Sequence, residues 1–68
     1  MNYKYLVMGE FTEFCNKFPE YSISEILFTI LKSANKSKDL AWLYNMTDRE
    51  LLTAIENANI KETEDNEN

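Results

Sequence analysis

The 68 residues predict a small all-α bundle of three to four short helices with a C-terminal helical hairpin. Three observations carry this. Apolar residues recur at helical spacing. Two capping boxes, Ser22-Ile23-Ser24-Glu25 and Thr47-Asp48-Arg49-Glu50, mark helix starts. Glycine and proline occur once each, which leaves little material for long irregular loops.

Residues 1–8 allow two readings. Tyr3, Tyr5 and Val7 alternate as a strand would, yet Tyr3, Val7, Phe11, Phe14 and Phe18 share one helical stripe. The helical reading is preferred from Gly9 to Phe18, extending toward the N-terminus. Gly9 is its weak point, since glycine inside a helix costs about 1 kcal/mol relative to alanine. Phe11, Phe14, Cys15 and Phe18 form the inward face, and Pro19 ends the helix because the residue before proline avoids helical geometry.

The second helix opens at the Ser22 box, with Tyr21 and Ile26 placed as a hydrophobic staple. Ile23, Ile26, Leu27, Ile30, Leu31 and Ala34 form its expected inward stripe, ending near Asn35. A short third helix is capped by Ser37 and carries Asp39 at its positive end. Leu40, Leu43 and Tyr44 share a face, with Trp42 roughly opposite; packing of Trp42 against Tyr3, Tyr5 or Phe11 is the preferred reading, and an outward binding anchor the other. Asn45 supplies a turn residue able to take positive φ. The fourth helix begins at the Thr47 box, with Met46 and Leu51 as a second staple. It is expected to run to about Asn59 with Leu51, Ala54, Ile55 and Ala58 inward. Residues 61–68, without one apolar side chain, are expected to be a disordered acidic tail. The division is therefore 1–8, 9–60 and 61–68.

Composition narrows the function classes. A domain of about 60 residues buries only about 60% of its unfolded surface, so a partner or second copy can complete the core. With no histidine the commonest general base is missing, and no glycine-rich phosphate loop exists. The chain is expected not to be an enzyme and to need no cofactor or metal. Cys15 lacks a second thiol or a histidine and reads as a small apolar residue on the phenylalanine face. No apolar run is long enough to span a membrane and no secretory leader pattern is visible, so the expected location is cytoplasmic. Richness in Asn, Lys, Ile, Glu and Tyr suits an AT-rich bacterial or phage genome.

Charge is uneven. Residues 1–46 hold five acids and five bases, whereas residues 47–68 hold seven acids and two bases, so the whole net charge of −5 lies in the last third.

Leu40–Ile55, LAWLYNMTDRELLTAI, resembles a helix-turn-helix. Ala41 matches the small residue at the helix crossing, Asn45 stands where that family usually has glycine, Thr47 matches the polar cap, and Leu51 an inward position. The resemblance implies DNA binding, with Asp48, Arg49, Thr53, Glu56 and Asn57 outward on the reading helix. Arg49, Thr53 and Asn57 are then the candidates for base contact, and Lys36 and Lys38 for phosphate. Against this, Asp48, Glu50 and Glu56 would face a phosphate lattice that rewards lysine and arginine. The favoured reading is a small protein-binding module, an adaptor, inhibitor or assembly factor. Its candidate contacts are Phe28 and Trp42 as apolar anchors, and Asp48 and Glu56 as charges. Its partner is a protein, basic in one mode, with a second copy of the chain as the other mode. A helix-turn-helix DNA-binding regulator is the alternative.

Overall fold

The computed structural model describes residues 2–34 and 40–66, without the side chains of residues 33 and 64–66. Four helices follow in order: α1 (Tyr3–Lys17), α2 (Ile23–Ala34), α3 (Ala41–Asn45) and α4 (Asp48–Asn66). The all-α class is as the sequence predicts.

The N-terminal ambiguity resolves to helix. The Asn2 side chain accepts a hydrogen bond from the Lys4 N–H at 3.1 Å, so α1 starts at Tyr3. Asparagine is a strong N-cap because its oxygen satisfies a free backbone donor of the first turn. Phe18 leaves helical geometry at φ −125°, ψ 68°, directly before Pro19.

Both capping boxes form as expected. Glu25 accepts from the Ser22 N–H at 2.9 Å while the Glu25 N–H donates to Ser22 Oγ at 3.1 Å. Glu50 accepts from the Thr47 N–H at 3.0 Å and its own N–H donates to Thr47 Oγ1 at 3.1 Å.

The core joins three helices. Phe14 and Phe18 from α1, Ile26 and Ile30 from α2, and Ala54, Ile55 and Ala58 from α4 are all buried. The Phe14 and Phe18 rings meet at 5.0 Å, and Tyr21 stacks on Phe18 at 5.6 Å. Ala54 and Ala58, one turn apart, present a small-residue face to neighbours supplying Phe and Ile. Val7, Phe11, Cys15, Tyr21 and Leu51 close the edges. Cys15 therefore sits among the apolar side chains of its helix, as read.

Two contacts set the helix directions. Arg49, at the start of α4, lies over the ring of Tyr3 at the start of α1. Tyr21, just past the end of α1, bonds Glu62 near the end of α4. So α1 and α4 run parallel, and α2 returns antiparallel between the ends they define.

Several details depart from the sequence reading. In α2 the inward set is Ile26, Thr29 and Ile30, while Ile23, Leu27 and Ala34 are exposed. The apolar arc of this helix spans about 200° at 3.6 residues per turn, and the buried arc only about 100°. Thr29 tolerates burial because its hydroxyl donates to the Glu25 carbonyl at 2.8 Å.

In α3 the covered side is that of Trp42, the residue read in preference as packed. Leu40, Leu43 and Tyr44 are exposed and Trp42 is half-buried. A five-residue helix can press only one side against the body, and the largest side chain takes it. Ala41 is exposed and α3 does not join the close packing among α1, α2 and α4, so Ala41 marks no helix crossing. Asn45 does not take positive φ; it is the last residue of α3, and its Nδ2 donates to the Ala41 carbonyl at 3.0 Å. The chain instead changes direction at Met46, extended at φ −69°, ψ 131°.

The fourth helix does not stop near Asn59 but continues through Asn66, so residues 61–66 are helical where a disordered tail was expected. Glu62 and Thr63 are half-buried, which gives this segment something to pack. The Ser37 cap, Asp39, Lys36 and Lys38 lie outside the described residues.

Candidate protein-binding surface

Three surfaces carry the candidate residues. The first is the outer side of α2. Phe28 is 67% exposed, Ile23 64% and Leu27 45%. Lysine snorkelling covers part of this: Lys32 Nζ lies 5.6 Å from the Phe28 ring centroid, within cation–π range. A shallow depression of about 410 Å³, lined by Tyr21, Ser24, Glu25, Phe28 and Thr29, runs beside it.

The second surface is α3, where Tyr44 is 91% and Leu40 70% exposed. The sequence reading missed both as surface residues. The available signal was Trp42, whose size outcompetes its neighbours for the single buried side of a short helix. Trp42 itself is half-buried, and its Nε1 is shielded with no hydrogen-bond partner among the described residues. It is thus less available than Phe28, and the two do not form one exposed pair.

The third surface is the polar side of α4. Asp48, Arg49, Thr53, Glu56 and Asn57 are all exposed, as the spacing predicts. Arg49, Glu50, Thr53 and Asn57 line a cleft of about 370 Å³ with Ala34 and Met46. The structure therefore brings the base-reading candidates Arg49, Thr53 and Asn57 together, but beside the Glu50 carboxylate. Arg49 is also engaged, its guanidinium 6.0 Å from the Tyr3 ring centroid. The Thr53 hydroxyl is turned to its own helix, donating to the Arg49 carbonyl at 3.2 Å.

Hydrogen bonding fixes the charge of the caps. The Thr47 backbone N–H, then its hydroxyl, hold the Glu50 carboxyl below the usual carboxylate range. Ser22 does the same to Glu25. Both remain anionic at neutral pH, so Glu50 keeps a negative charge in the cleft beside Arg49, Thr53 and Asn57.

Among the described residues, no three side chains of the metal-binding types gather to hold an ion, and no helix is long and apolar enough to cross a membrane. No protein-family model, curated protein or solved structure matches this chain.

Proposed function

We propose that this chain is a small non-enzymatic protein-binding module, an adaptor, inhibitor or assembly factor of the cytoplasm, working without a cofactor. The observation that carries the reading is the set of large apolar side chains left uncovered on α2 and α3. Ile23, Leu27 and Phe28 on one helix, with Leu40 and Tyr44 on the next, are more exposed apolar surface than a small core can spare. Large apolar side chains left exposed close together on one helix are candidates for an interaction site.

Charge supports a division of labour. The apolar side chains supply contact, and the negative side of α4, with Asp48 and Glu56 outermost, steers a basic protein surface toward it. Such steering raises the encounter rate and weakens with salt. The same negative face opposes DNA.

The test is photo-crosslinking in the native host from Phe28 and Tyr44, with Glu13 on α1 as a control position. Protein adducts at Phe28 or Tyr44 that are absent at Glu13 support the reading. A chain that gives no adducts at either position, and shifts random duplex DNA at about 20–50 mM salt, belongs to the DNA-binding class instead.

A further inference from the structure

We infer that the outer stripe of α2 is covered by α2 of a second copy, running antiparallel about a two-fold axis between Phe28 and Thr29. This rests on the protein-binding reading and names one occupant for one of its surfaces.

The stripe is self-complementary in charge. Glu25 and Lys32 are the only charged residues of α2. Both are exposed, and seven residues apart they fall on the same edge of the helix. An axis midway between them sets each Glu25 level with the Lys32 of the other copy, giving two reciprocal ion pairs. Antiparallel alignment also opposes the two helix dipoles favourably. A parallel arrangement would instead set Glu25 beside Glu25.

The same register gathers exposed apolar side chains of α2. Leu27 and Phe28 then cluster at the axis. Net charge does not oppose the pairing, because the −5 belongs to residues 47–68 and α2 itself is neutral.

The area sets the strength. Twelve residues make a helix about 18 Å long. A single helix face of that length buries less than the ~800 Å² per partner of a standard interface. The dimer is therefore weak, with a dissociation constant on the order of 100 μM.

Sedimentation equilibrium of the full chain from about 10 μM to about 2 mM tests this around that constant. The expected mass rises from one chain toward two. Leu27→Glu removes the rise. Lys32→Glu weakens association about tenfold by setting two carboxylates together. Adding Glu25→Gln to it recovers most of the loss, because glutamine keeps the capping box but not the charge. Lys32 is an exposed side chain, so this pair remains decisive if Leu27→Glu fails to fold. A wild-type chain of single mass at the highest concentration overturns the dimer, as does a dimer indifferent to Leu27→Glu and Lys32→Glu. A strict monomer that still gives protein adducts at Phe28 leaves the protein-binding reading standing; a monomer without adducts removes both.

Discussion

The Tyr21 hydroxyl donates to Glu62 Oε2 across 3.0 Å, joining residues 41 positions apart. It ties the turn between α1 and α2 to the last turns of α4. That tie is one reason α4 continues through a stretch whose composition reads as tail. A segment without apolar residues gains little from its own burial, and here one hydrogen bond and the half-buried Thr63 supply the contact.

Tyr21→Phe should therefore release the end of α4 and leave the core alone. Hydrogen exchange should quicken over residues 60–66 and stay unchanged at Phe14 and Ile55. Equal change in both regions would mean that the tie is global. The bond also raises the Tyr21 pKa above 10.0, chiefly through the Glu62 hydrogen bond and then through its charge. The fold favours the neutral phenol, so this stabilisation is complete below pH 10 and is lost as pH rises through the higher folded value. A phenolate absorbance titration of wild type against Tyr21→Phe checks the assignment.

The capping boxes give the opposite pH dependence. Glu25 and Glu50 both titrate below the ordinary 4.5. Their contribution is present above that value and is lost as pH falls through the lower folded values. A chain carrying Glu25→Gln and Glu50→Gln should keep both helix starts and show a smaller fall in melting temperature between neutral and acid pH. An unchanged fall would place the acid sensitivity elsewhere. Thr47→Ala, which removes the reciprocal bond, should cost about 1 kcal/mol at neutral pH, measured by urea unfolding.

These boxes were legible because a capping signal is local: four adjacent residues satisfy one another whatever the rest of the chain does. The phenylalanine face of α1 was legible for a related reason, since three phenylalanines and Cys15 at i, i+3, i+4 and i+7 leave one way to pack. The outward side of α4 was read correctly as well. What could not be read was which part of an over-wide apolar arc is covered. Periodicity shows that Ile23 and Ile26 share the apolar half of α2, but only the position of α4 decides that Ile26 is buried. In α3 three apolar residues competed with one tryptophan, and periodicity over five residues cannot rank them. The Asn45 turn was misplaced because its side chain bonds back to its own helix. The end of α4 was hidden because its support comes from Tyr21, far away in sequence.

Gly9 offers a clean propensity test. It lies within α1, exposed, and a Cβ built on it meets nothing within 4 Å. Its φ is not positive, so alanine fits the existing backbone. Gly9→Ala should stabilise the chain by about 0.5–1 kcal/mol by reducing the entropy lost on folding. Urea unfolding with an unchanged slope is the expected record. Destabilisation would mean that the exposed surface at Gly9 is covered in solution, for instance by another molecule.

Trp42 separates packing from polarity in α3. Its ring is half-buried, and its Nε1 is shielded without a partner among the described residues. A shielded donor left unbonded costs about 1–3 kcal/mol of desolvation, whereas the ring contributes apolar contact. The two contributions oppose each other, and two substitutions divide them. Trp42→Phe keeps most of the contact and removes the donor, so its melting temperature should equal or exceed that of the wild type. Trp42→Ala removes both and should lower it, by about 1–3 kcal/mol in urea, less than full core truncation because the ring is only half covered. If Trp42→Phe proves as damaging as Trp42→Ala, the indole N–H must find an acceptor in solution, and α3 must be anchored by that bond rather than by the ring.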